Sequence, residues 1–107
     1  MKNIKKFNKL VRDLIPEIIK NNGDYPVIKK LNKESYQSAL VEKLIEEANE
    51  FRLNPSLEEA ADLLEVLDAL FAEHKLDKRD VLSVQKQKRK NRGGFLKKLF
   101  LVRTYQK

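Results

Sequence analysis

Between residues 33 and 74 apolar side chains return every three or four positions, the period of an α-helix. At about 100° per residue, Leu40, Val41, Leu44, Ala48 and Phe51 share one arc of a helix expected over residues 33–52. Ile45 lies at the edge of that arc. Asn32 suits its N-cap and Glu34 its first turn. After a short turn at Leu53-Asn54-Pro55, a second helix is expected over residues 56–74. Its arc of Ala60, Leu63, Leu64, Val66, Leu67, Leu70 and Phe71 is broad enough to meet more than one neighbour. Ser56 and Glu59 have the spacing of a capping box. A third helix is expected over residues 78–91, with Asp77 as N-cap and Gly93-Gly94 as its stop. Nearer the start, Pro16 in a first turn and Asn22-Gly23 at an end predict a short helix over residues 15–21. Residues 26–31 and 95–102 read as short extended segments near both ends, able to pair with one another. The fold class is mainly α, a helical bundle in one domain over residues 1–107.

The acidic positions change this picture. Glu47 lies at the border of the first arc, with Glu50 one step further round. Glu59 falls inside the second arc and Asp62 lies at its border. Both pairs are spaced i,i+3, so each can point to one place. The short link over residues 53–55 favours antiparallel neighbours, which would offer four carboxylates to a common point. Oxygen donors of this kind suit a hard cation such as magnesium, whose remaining positions go to water and phosphate. Splitting a phosphoanhydride needs neutralised oxygens and a positioned water. Glu46 and Glu50 are the carboxylates placed to orient that water. Two blander readings stand beside this one. Acidic clusters on helices are commonly solvated faces, and Glu59 could serve only as the capping-box partner of Ser56. The first leaves Glu59 inside an apolar arc unexplained, and the second leaves Asp62 unexplained.

Charge is strongly segregated. Residues 1–33 carry nine Lys/Arg against three acids, residues 34–80 five against thirteen, and residues 81–107 nine against none. Basic ends therefore flank an acidic middle. They either neutralise it and help to hold an anionic substrate, or bind nucleic acid. The acidic centre works against continuous tracking of a phosphate backbone. There is no cysteine, which excludes disulfides, thiol nucleophiles and Cys-based zinc sites. No apolar run approaches the length of a membrane span, so a cytoplasmic protein is expected.

Three motifs together resemble the MazG-like nucleoside triphosphate pyrophosphohydrolases, relatives of phosphoribosyl-ATP pyrophosphohydrolase and of the all-alpha dUTPases. Glu46-Glu47-x-x-Glu50 followed by Glu59-x-x-Asp62 resembles the acidic signature. Asn8-Lys9-Leu10-Val11-Arg12-Asp13-x-Ile15-Pro16 resembles the opening of a small single-domain branch, and Lys88-Arg89-x-x-Arg92-Gly93-Gly94-Phe95 its closing motif. The resemblance spans nearly the whole chain. It implies an all-alpha fold and magnesium, or alternatively manganese, held by Glu47, Glu50, Glu59 and Asp62. It also implies cleavage of a nucleotide between its α and β phosphates, and a homo-oligomer, dimer or tetramer. Lys9, Arg12, Arg89 and Arg92 become candidates for the substrate phosphates, Arg as a fork and Lys as a point charge. The alternative is a basic nucleic-acid binder or a helical scaffold without activity.

Overall fold

The computed structural model describes residues 3–106. It holds four helices: α1 Ile15–Asn21, α2 Lys33–Leu53, α3 Leu57–Glu73 and α4 Lys78–Arg92. Each boundary has a local cause. The Asn32 side chain accepts the Ser35 amide at 2.8 Å, Ser56 Oγ accepts that of Glu59 at 3.2 Å, and Asp77 accepts that of Arg79 at 2.8 Å. Such caps contribute about 1 kcal/mol each. Three hydrogen bonds from Arg79, two from its guanidinium and one from its amide, hold the Asp77 carboxyl below its ordinary value. At the far end of α4, Gly93 takes a left-handed φ of 81° while its amide donates to Arg89 O at 2.8 Å. A side chain with a Cβ rarely adopts that backbone, so the helix stops there.

Two compact units divide the chain, the first through Lys75 and the second from Leu76. In the first, α2 packs on α3. Gln37 near the start of α2 donates to Glu73 at the end of α3 at 3.0 Å, whereas Glu47 meets Glu59 and Asp62 near the start of α3. The pair is therefore an antiparallel hairpin, as the short link predicts. Leu40 and Val66 are the buried apolar residues among those described.

The structure corrects two expectations. Residues 26–31 and 95–102 form no strand, and no strand occurs among the described residues. The latter segment instead turns tightly, with the Lys98 amide donating to Phe95 O at 3.2 Å. The face that α2 buries is also rotated from the predicted arc. Leu40 and Glu47 lie at its centre, while Val41, Ile45 and Ala48 are exposed. The predicted arc on α2 was wider than one packing seam, and α3 covers only the part that includes Glu47.

The second unit is α4 and the residues after it. Apart from Val81, its side chains are exposed, including the whole run from Lys86 to Arg92. Among the described residues, no helix is long and apolar enough to cross a membrane.

Candidate metal centre

Glu47 sits on the seam of the hairpin, only 9% exposed, and is the one buried charged residue among those described. Opposite it, the first two turns of α3 bring up Glu59 and Asp62, both half-buried. One carboxylate oxygen from each of the three lies within 4.8 Å of the others. Helical geometry accounts for the Glu59–Asp62 pair, and antiparallel packing adds Glu47.

Three carboxylates so close repel one another. Burial, and then the charges of Asp62, Glu50, Glu47 and Glu58, raise the Glu59 carboxyl above its ordinary value. The Ser56 hydroxyl accepts the Glu59 amide, yet the Glu59 carboxylate returns no bond to Ser56 among the described residues. It turns to the other two carboxylates instead. The capping-box reading thus explains the Glu59 backbone and not its side chain.

Cations border the group. Lys43 Nζ lies 3.1 Å from Glu46 and 3.6 Å from Glu47 on the same helix. The segment before α1 crosses to the hairpin, where Lys9 meets Glu46 at 3.3 Å and Arg12 meets Asp62 at 2.7 Å. This segment is not helical. A bend at Lys9 and a φ of 46° at Asn8 direct the two cations. Burial acts to raise the Glu46 carboxyl, but Lys43 and Lys9 outweigh it, so Glu46 stays ionised below its ordinary value.

The candidate ligands are therefore partly assembled. Glu47, Glu59 and Asp62 converge, whereas Glu50 is exposed and outside their group, although its charge reaches Glu59. Lys9 and Arg12 stand at the site. Arg89 and Arg92 lie exposed in the last turn of α4, in the second unit. The structure also sets Lys43 between Glu46 and Glu47. Its i,i+3 and i,i+4 spacing to them was the available signal. A groove lined by Tyr36, Ala72, Glu73 and Lys75 lies at the other end of the hairpin and takes no part in the cluster.

The donor set tests which ion would fit. All three groups are carboxylates, with neither imidazole nor thiolate among them. That matches magnesium, manganese or calcium and argues against a zinc site of the His/Cys type. The all-helical architecture and a carboxylate cluster fit to hold a divalent cation define the class that the structure supports.

No protein-family model matches the chain, and no solved structure matches it. An uncharacterized protein of Mycolicibacterium smegmatis is 51% identical over 43 residues, which is 40% of this chain and 44% of that protein. The similarity thus spans less than half of either molecule.

Proposed function

We propose that this chain is a MazG-like nucleotide pyrophosphohydrolase, one catalytic domain using magnesium or manganese. It would hydrolyse a nucleoside triphosphate, or a related nucleotide, between the α and β phosphates to a monophosphate and pyrophosphate. The observation that carries this reading is the convergence of Glu47, Glu59 and Asp62 oxygens within 4.8 Å. The motif resemblance supports it independently of the geometry.

Glu47, Glu59 and Asp62 would hold the cation, with Glu50 as the fourth ligand named by the resemblance. When bound, the cation neutralises phosphate oxygens and polarises the phosphorus. Glu46, kept ionised by Lys43 and Lys9, is suited to orient a water by accepting its hydrogen bond. Glu50 has the same capacity and greater exposure. Arg12 and Lys9 would pair with the phosphates, and Arg89 and Arg92 are the further candidates. Water would attack the α phosphorus and give up its proton to Glu46 or Glu50, the bond from that phosphorus to the bridging oxygen would break, and pyrophosphate would leave.

A screen of nucleoside triphosphates with magnesium, resolving the monophosphate and pyrophosphate products, tests the proposal. Turnover of at least one nucleotide, lost with a chelator, is expected. No turnover of any nucleotide by folded protein would refute it. Salt-dependent binding to a generic duplex in that case would favour the exposed cations of α4 as a nucleic-acid surface.

Arg12 has a separable prediction. Its pair with Asp62 is exposed on both sides, and such pairs contribute about 0–1 kcal/mol to stability. Arg12→Gln should therefore change the melting temperature little. A lost charge-assisted phosphate contact of about 1.5–3 kcal/mol should lower kcat/KM by roughly 10-fold to 100-fold. A full loss of folding with no separate kinetic effect would assign Arg12 to structure alone.

A further inference from the structure

The segment before α1 is tied to the hairpin by side chains. Among the described residues, the first backbone hydrogen bond of the chain runs from the Ile15 amide to Arg12 O, at 3.1 Å. Leu10 and Val11 are half-buried, while residues 3–9 and 12–14 are exposed. Lys9 and Arg12, on either side of that apolar pair, make the two ion pairs that reach α2 and α3. Both pairs are open to solvent, so each contributes little stability. A segment with so few backbone bonds and so little buried surface can shift locally without unfolding the hairpin.

The two cations stand differently toward the cluster. Asp62 belongs to the three carboxylates whose oxygens lie within 4.8 Å of one another, and the Arg12 guanidinium is 2.7 Å from it. Arg12 thus neutralises a group that a divalent cation would also neutralise. Whichever Asp62 oxygen that cation took, two positive charges would share one carboxylate and repel each other. Glu46, the partner of Lys9, lies outside the converging three and is held by Lys43 as well. The Lys9 contact therefore keeps the segment in place when Arg12 lets go.

A phosphate resolves the conflict, because its oxygens fit the guanidinium fork as a carboxylate does. We propose that residues 9–12 are a strap in which Arg12 competes with the divalent cation for Asp62 and transfers to a substrate phosphate. Cation and phosphate then each strengthen the binding of the other, by the same factor in both directions. The cluster would favour the metal–phosphate complex over the bare ion. This rests on the metal reading of the cluster and adds to it a linkage between its two ligands.

Manganese binding to the full chain, read from the electron paramagnetic resonance of the free ion, tests the strap without turnover. Circular dichroism confirms the helix content of each chain. Arg12→Gln should bind manganese at least about 5-fold more tightly than the parent, the low end of coupling between sites. Arg12→Lys keeps the charge and should stay nearer the parent than Arg12→Gln does. Lys5→Gln, exposed on the same segment, should match the parent. Inorganic phosphate should tighten manganese binding to the parent, and do so less in Arg12→Gln. Binding by Arg12→Gln that equals or falls below the parent's would overturn the strap and leave the metal reading standing. An equal response to phosphate in the two chains would overturn it likewise. No manganese binding by either folded chain would overturn both the strap and the metal reading.

Discussion

Replacing Glu59 by Gln, or Asp62 by Asn, is expected to reduce nucleotide turnover by about 10²-fold to 10³-fold or more, the scale of losing one preorganised electrostatic contact in a transition state. The two residues supply two of the three converging oxygens, and both substitutions keep size and shape while removing charge. Neither should unfold the chain. Ser56 caps α3 through the Glu59 amide, which the variant retains. Product formation with magnesium, measured alongside helix content, checks this. Full activity in both variants would remove the carboxylate cluster from the reaction. Glu42→Gln, on an exposed position of α2, is the control expected to behave as the parent.

The Glu59→Gln chain is also expected to melt above the parent at neutral pH without added metal. Burial and the neighbouring carboxylates raise the Glu59 carboxyl above its ordinary 4.5. The folded state therefore binds that proton more tightly than the unfolded state. The stability linked to it is complete below 4.5 and is lost as pH rises through the raised folded value. Gln cannot ionise, so the variant avoids this loss. Its advantage should be largest near neutrality and should close below pH 4.5. Magnesium should reverse the order. At a concentration 100 times its Kd a ligand adds about 2.7 kcal/mol to the folded state, and the parent should gain this where the variant does not. Melting curves over pH, with and without magnesium, read both effects. A variant that melts below the parent at neutral pH would mean that Glu59 serves packing rather than charge.

These two results belong together. A group that costs stability at rest and is needed for turnover is the pattern expected where a protein holds like charges close for a cation. Glu46 shows the opposite arrangement. Lys43 and Lys9 overcome the effect of burial and keep it ionised, so it contributes stability that is lost as pH falls through its lowered value. One site thus holds a strained carboxylate beside a settled one. The first suits a metal ligand and the second a residue that positions water.

The helices were legible because their causes are local. Asn32, Ser56 and Asp77 cap within three residues of themselves, and Gly93 stops α4 through its own φ. The i,i+3 spacing of Glu59 and Asp62 was likewise visible, since it depends only on helical rise. Tertiary structure alone decided the rest. Periodicity marked a wide apolar arc on α2 but could not say which part α3 would cover, so Glu47 moved from the border to the seam while Val41 and Ala48 turned outward. The extended segments lacked partners, because a strand needs a neighbour to accept its hydrogen bonds and local sequence cannot supply one. Lys9 reaches Glu46 across 37 positions and Arg12 reaches Asp62 across 50. Contacts at such separation follow from packing and chain path, not from a repeat in the sequence. By itself the sequence determined a helical hairpin with acids on its rims. Folding placed three of them against one another and set two cations beside them.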